Sequence, residues 1–288
     1  MSTSTSAREE WLARRVKNLS NNDPQFAGAQ PSSAVTAALE KPGLRLPQIV
    51  QTVLEGYASR PALGQRAVEF VKDPKTGRTV AELLTHFQTI TYRELGDRVG
   101  AVARALSSDS VQAGDRVAVL GFTGVDYTTI DVALGQIGAV AVPLQTSAAI
   151  AQLQPIVTET EPSVIAASVN QLSDAVELIL SGSQTGAVPA KLVVFDYHAE
   201  VDDHREAVEA VRAQLADSGV IVETLDDVLA HGEAVSSGPA GPVAVPDEDD
   251  PFALLVYTSG STGAPRMRPI GGKVAQIRAH QGDVIQQR

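Results

Sequence analysis

Arg116-Val-Ala-Val-Leu120, the helical stretch Val125–Ile137 that follows it, and Ala139-Val-Ala-Val-Pro143 form a unit of strand, helix and strand. The two flanking runs are short and almost wholly apolar, so neither has a polar side to turn toward water. A strand with no polar side is buried on both faces, which is the condition of a parallel sheet covered by helices. The alternation continues downstream. Strands are expected at Ser163–Ala167, Leu192–Phe195 and Val220–Val222, with helices near Leu153–Thr158, at Asn170–Leu180 and at His204–Leu215. These elements predict an α/β fold with a mostly parallel sheet flanked by helices.

Upstream, the spacing of Leu95, Val99, Val102, Ala103 and Leu106 predicts a helix over Tyr92–Leu106, and Ile49, Val50, Val53 and Leu54 predict another over Leu46–Tyr57. Ala62–Val71 and Thr89–Tyr92 are strand-like, and Asp73-Pro-Lys-Thr-Gly77 supplies turn chemistry, so a hairpin with a decorated loop is expected between them. Trp11, Leu12, Val16 and Leu19 place a short amphipathic helix over Glu9–Leu19, read as a packing arm and ending at the Asn21–Pro24 break. Ser236–Asp250, with its acidic run Asp247–Asp250, reads as a solvated surface linker.

Composition narrows the chemistry. The 288 residues hold no cysteine, which excludes disulfides, thiolate metal sites and a cysteine nucleophile; any thioester step needs a thiol from elsewhere. A net charge of −11 argues against a nonspecific grip on nucleic acid. No apolar run approaches the ~18–20 residues that span a bilayer, and Met1–Ser6 leads into charge where a secretory peptide has an apolar block, so a cytoplasmic location is expected.

One loop carries chemistry. Phe252-Ala-Leu-Leu-Val-Tyr257 is a buried strand, and Thr258-Ser-Gly-Ser-Thr-Gly263-Ala-Pro265 follows it directly. Gly260 and Gly263 let backbone N–H groups converge on one point, while Thr258, Ser259, Ser261 and Thr262 add hydroxyl donors around an anion. The alternative is a flexible Ser/Gly linker, which seldom follows a strand of this kind. A G-x-x-x-x-G-K-[ST] loop would need Gly and Lys where Pro265 and Arg266 stand, so that class of nucleotide hydrolase is disfavoured.

Tyr257-Thr-Ser-Gly-Ser-Thr-Gly-Ala-Pro265 resembles the phosphate-binding signature of the acyl-adenylating superfamily. Ile90-Thr-Tyr-Arg-Glu-Leu95 and Gly138-Ala-Val-Ala-Val-Pro-Leu144 are similar to two weaker features of that superfamily. Leu44–Tyr57, Arg60–Ala67 and Asp73–Arg78 are similar to one subgroup, the carboxylic acid reductases. The resemblance implies a carboxylate-adenylating enzyme of the reductase, fatty-acyl-AMP or acyl-CoA ligase kind, using ATP and Mg²⁺ to make acyl-AMP and pyrophosphate. It implies that Thr258, Ser259, Gly260, Ser261, Thr262, Gly263 and Arg266 hold the phosphates of ATP, and it identifies neither a catalytic residue nor a metal ligand in this chain. In an intact reductase a phosphopantetheine thiol and NADPH act on other domains.

The family pattern continues Pro-Lys-Gly, whereas this chain reads Pro265-Arg266-Met267. Residues 266–288 hold five basic residues (Arg266, Arg268, Lys273, Arg278, Arg288) against one acid, Asp283. The expected organisation is a helical arm over 1–43, a partial adenylation domain over 44–265 and a divergent basic tail over 266–288, read as out of the family's frame. On this reading the domain is incomplete and inactive alone, with an unpaired sheet edge open to association. The competing reading is a noncatalytic nucleotide-binding or protein-interaction module.

Other signals are weaker. Asp196, His198, Asp202, Asp203 and His204 match no standard ligand spacing, and Asp202 or Asp203 is expected to cap the helix that follows. Gly121-Phe-Thr-Gly124 is a turn after a strand but not a G-x-G-x-x-G fingerprint. In Gly182-Ser-Gln-Thr-Gly186 the serine is one place early for a hydrolase elbow.

Overall fold

The computed structural model describes residues 3–109, 111–183, 188–235, 242, 251–259 and 265–271. The chain divides into two units, Met1–Pro42 and Gly43–Arg288.

The first unit is helical: α1 (Thr3–Asn22), α2 (Pro24–Ala29) and α3 (Ser33–Leu39). Helix α1 extends beyond the expected Glu9–Leu19 at both ends. The Asn21–Pro24 break is a restart rather than an exit from helix. Asp23 is the N-cap of α2, its carboxylate accepting the N–H groups of Gln25 and Phe26 at 2.9 and 3.0 Å, and Pro24 takes the first turn, where a missing N–H costs nothing. On α1, Trp11, Leu12 and Val16 are exposed, and the Arg15 guanidinium lies 5.5 Å from the Trp11 ring centre.

The second unit begins with α4 (Leu46–Gly56), β1 (Pro61–Lys72), β2 (Thr79–Thr91) and α5 (Tyr92–Asp109). It continues with β3 (Arg116–Leu120), α6 (Val125–Gln136), β4 (Val140–Leu144), α7 (Ile150–Thr160) and β5 (Val164–Ser168). After a 3₁₀ turn at Val169–Gln171 come α8 (Leu172–Ser183), β6 (Lys191–Phe195), α9 (Asp202–Gln214), β7 (Ile221–Thr224) and α10 (Leu225–Ala234). Strands β8 (Phe252–Ser259) and β9 (Pro265–Gly271) complete it.

Seven strands form one sheet in the order β7-β6-β5-β3-β4-β8-β9, parallel as far as β8 and antiparallel at β9. Alternation along the strands divides the core. Ala118 and Leu120 join Val142, Leu144, Ile165 and Leu192 on the face covered by α7, α8 and α9. Val117 and Val119 join Ala141, Val164, Val193 and Phe195 on the face covered by α5, α6 and α10. The expected α/β architecture is present, as a mixed sheet flanked by helices.

At the amino ends of the strands, Lys191 is nearly inaccessible and pairs with Asp109 at 2.7 Å and Glu223 at 2.6 Å, tying α5, β6 and β7 together. Helix α10 lies backbone-to-backbone on α5. A Cβ at Gly232 would stand 1.8 Å from the Ala101 carbonyl oxygen, and Arg104 Nε donates to the Gly232 carbonyl at 2.8 Å.

Several local expectations change. The decorated loop is instead strand: β2 begins at Thr79 and pairs with β1 along a long antiparallel ladder broken by two bulges. Only the Asp73 turn separates them, with the Asp73 carboxylate accepting Lys75 N–H and Thr76 O–H at 2.9 Å each. The N-cap of α9 is Val201, not Asp202 or Asp203. The Asp202 carboxylate is drawn away to accept the Thr79 N–H at 2.7 Å, and Arg78 bonds Asp203 and Glu206, so the start of α9 anchors the turn end of the hairpin. Residues 265–271, the end of the expected domain and the first part of the expected tail, pair with β8 as a strand. The linker 236–250 lies outside the described residues except for Pro242.

Gly232→Ala forces α10 off α5 and is expected to cost about 3 kcal/mol of stability. Gly135→Ala on α6, where a Cβ meets nothing within 4 Å, should be neutral or stabilising. Urea unfolding of the two variants checks the contrast.

Candidate functional site

Strand β3 passes its chain to α6 on one face, while its neighbours β4 and β5 pass theirs to α7 and α8 on the other. Loops that part in this way leave a crevice at the carboxyl ends of the strands, the usual ligand position in such sheets. Gly121 directly follows β3 at that position. A Cβ at that position would lie 2.4 Å from the Phe195 ring and 3.2 Å from the Ser168 Cβ, so only glycine lets the ring tip lie against the chain. The next residue, Phe122, is 74% exposed.

Asp196 follows β6 with φ at 54°, a conformation that Asp and Asn tolerate better than other side chains. Its N–H donates to Asp126 Oδ2 at 3.1 Å, and Asp126 Oδ1 accepts from Arg98 at 2.6 Å. Burial, then the Asp126 charge, pushes the Asp196 carboxyl up to about 6. Burial also raises Asp226, again with Asp126 as a charged neighbour.

The expected phosphate-binding residues lie on the β8–β9 hairpin. Thr258 and Ser259 are the last residues of β8, and in the antiparallel register they stand opposite Arg266 and Pro265. Gly260, Ser261, Thr262 and Gly263 lie outside the described residues. Because β8 runs parallel to β4, Thr258 and Ser259 are carried toward the same edge as the Gly121 turn. Leu255 is buried beneath the α7–α9 face, and Tyr257, two residues on, packs against the same cluster. Its hydroxyl donates to Glu159 Oε2 on α7 at 3.0 Å. Burial, and then this acceptor, push the Tyr257 phenol up to about 12. Nothing in the sequence pairs Tyr257 with Glu159, 98 positions away.

The residues that the sequence sets aside as metal ligands are engaged elsewhere. His198 stacks on His204 with ring centres 5.8 Å apart, the His198 backbone N–H donates to His204 Nδ1 at 3.1 Å, and the Phe70 ring lies 5.4 Å from the His198 ring. Among the described residues no group of three or more His, Asp and Glu gathers as a metal site. Ser183 ends α8, residues 184–187 lie outside the described residues, and so do residues 247–250. A cavity of about 390 Å³ lies between α4 and α5, lined in part by Leu54, Tyr92, Arg93, Asp97 and Arg104; none of its lining residues comes from β8 or β9.

A family profile described as AMP-binding enzyme matches residues 67–270. The chain is 58% identical over 261 residues to the carboxylic acid reductase of Mycobacterium marinum, covering 90% of this chain and 22% of that protein. It is 56% identical over 262 residues to the enzyme of the same name from Mycobacterium tuberculosis, covering 91% and 22%. Among solved structures, the A-PCP didomain of carboxylic acid reductase from Segniliparus rugosus, in complex with AMP, superposes with a TM-score of 0.85 at 46% identity. That superposition covers 92% of this chain and 37% of the didomain. The chain therefore spans less than a quarter of the two mycobacterial relatives.

Because the folded state holds the Asp196 proton more tightly than the unfolded chain, stability is lost as pH rises from 3.8 to about 6. Asp196→Asn removes that loss and keeps the backbone conformation. The variant should be more stable than the parent at about pH 8, with the gain shrinking as pH falls toward about 4 in urea melts.

Proposed function

Because the chain belongs to the AMP-binding enzyme family, which it matches over residues 67–270, we propose that it is the N-terminal part of a carboxylate-adenylating domain of the carboxylic acid reductase kind. The observation that carries this reading is the hydroxyl- and glycine-rich run Thr258–Gly263, which leaves the carboxyl end of a parallel strand in a chain 58% identical to a reductase. We assign residues 1–43 to an arm, 44–265 to the partial domain and 266–288 to a divergent tail. We also assign the chain to the cytoplasm, where ATP is at hand for the proposed reaction. Among the described residues, no helix is long and apolar enough to cross a membrane.

In the complete domain a carboxylate oxygen attacks the α-phosphorus of ATP. The bond to the bridging oxygen breaks, pyrophosphate leaves with the electron pair, and acyl-AMP remains. Negative charge grows on the bridging oxygen, and donors already aimed at that point stabilise it without reorganisation. Backbone N–H groups of Gly260 and Gly263 and the hydroxyls of Thr258, Ser259, Ser261 and Thr262 supply those donors. Arg266, opposite Thr258 in the hairpin register, adds a fixed cation. The hydroxyl oxygens of Thr258 and Ser259 are hard donors that suit nucleotide-bound Mg²⁺, which supplies charge neutralisation when present. Transfer of the acyl group to a phosphopantetheine thiol and its reduction by NADPH belong to other parts of a reductase; this cysteine-free chain supplies no thiol.

The purified 288-residue chain should bind ATP with Mg²⁺ but give no carboxylate-dependent ATP–pyrophosphate exchange with aromatic or medium-chain fatty acids, and Arg266→Lys should not restore it. Exchange above a no-carboxylate control would make the chain a minimal adenylating enzyme and overturn its incompleteness. Folded protein that does not bind ATP would favour a protein-interaction module.

A further inference from the structure

The β8–β9 hairpin is attached to the sheet through one side. Among the described residues, β8 holds parallel register with β4 at one pair, Ala141 with Leu254, whereas β3 pairs with β4 at every residue of both strands. Beyond Leu254 the carboxyl half of β8 is held to the main body by Leu255 and Tyr257 on the α7–α9 face and by the hydrogen bond from Tyr257 to Glu159. Tyr257 directly precedes Thr258, and a displacement of one moves the other.

Glu159 stands in the last turn of α7, where a negative charge opposes the helix dipole. It is not needed to finish the helix. Arg116 already caps that end, Nε donating to the Thr160 carbonyl at 2.6 Å and Nη2 to the Glu161 carbonyl at 3.2 Å. An acid kept at an unfavourable helix position, and bonded to the phenol that precedes Thr258, calls for a role outside the helix.

We propose that Glu159 is a positioning residue: by accepting the Tyr257 hydroxyl hydrogen bond it sets where β8 delivers the backbone of Thr258 and Ser259, and so sets the affinity for the polyphosphate of ATP. The inference rests on the phosphate-binding reading of Thr258–Gly263. It places the determinant of nucleotide affinity on a helix that contributes nothing to the signature itself.

Replacement of Glu159 separates this role from a structural one, because loss of the acid removes a dipole penalty from α7 and does not weaken the helix. In the full 288-residue chain, Glu159→Ala and Tyr257→Phe should each weaken ATP–Mg²⁺ binding roughly three- to tenfold, and the double variant should be no worse than either single. Glu159→Gln keeps an acceptor and should retain the parent affinity. Ultraviolet titration, with Tyr257→Phe as the subtraction blank, should find one phenol ionising near 12 in the parent and lower in Glu159→Ala, where burial still holds it above its ordinary value. Unchanged ATP affinity in Glu159→Ala, with the parent binding ATP, overturns the positioning role and leaves the phosphate-binding reading intact. Failure of the folded parent to bind ATP overturns both.

Discussion

Strand β3 can satisfy its backbone only by pairing on both sides, and its side chains only by burial on both faces; the rest of the second unit is arranged around that requirement. Val117, Ala118, Val119 and Leu120 are each 1% exposed or less. A parallel neighbour cannot follow through a tight turn, so each crossover carries a helix over one face or the other. With β3 crossing to one face and both its neighbours to the opposite one, the chain parts at the carboxyl ends of these strands, as it does again between β6, which leads to α9, and β7, which leads to α10 on the other face. The location of a ligand crevice is thus a consequence of how a two-sided hydrophobic strand is covered.

Close packing then restricts what can line that edge. Gly121 admits the Phe195 ring, whose burial draws the following Asp196 into a left-handed turn and leaves its carboxyl beside Asp126. Gly232 plays the corresponding part on the other side of the fold, letting α10 settle on α5. At the opposite edge the buried Lys191 is balanced by two carboxylates, as a charge removed from water must be. Close packing surrounds β3; β8 keeps one register pair with β4 and is held besides by the buried Leu255 and by Tyr257 with its bond to Glu159.

The long β1–β2 hairpin is held differently. Its open end packs Ala62, Leu63 and Ile90 against the core, while Leu83 and Phe87 remain exposed. Its turn end is fastened by charge and hydrogen bonds, with Arg78 reaching Asp203 and Glu206 and the Thr79 N–H reaching Asp202. Carboxylates that a sequence reader sees as candidate metal ligands or helix caps are occupied by this tether.

Where apolar residues recur at a period set by local geometry, the fold was legible before any coordinates. The strands β3, β4, β5 and β6 and helices α4, α5 and α8 lie within a few residues of their expected bounds, because two-sided burial writes itself into composition. Helix α10 was missed although Thr224-Leu-Asp-Asp227 forms a capping box, since Gly232 interrupts a ten-residue pattern that only packing on α5 explains. The extension of β2 was missed because its exposed residues show no alternation; their register comes from β1. The proposed phosphate loop is read from residue types alone, since convergent N–H and hydroxyl donors call for glycine, serine and threonine in sequence. The Tyr257–Glu159 tie, the Asp196 environment and the Arg78 tether were not legible in this way, because each joins residues tens of positions apart through side chains whose meeting depends on strand order. The sequence by itself determined the α/β class and the mostly parallel sheet, matters of local period and residue type. Tertiary structure alone decided which distant groups hold β8 and the β1–β2 hairpin in place, because contact across a fold depends on topology, which no local pattern encodes.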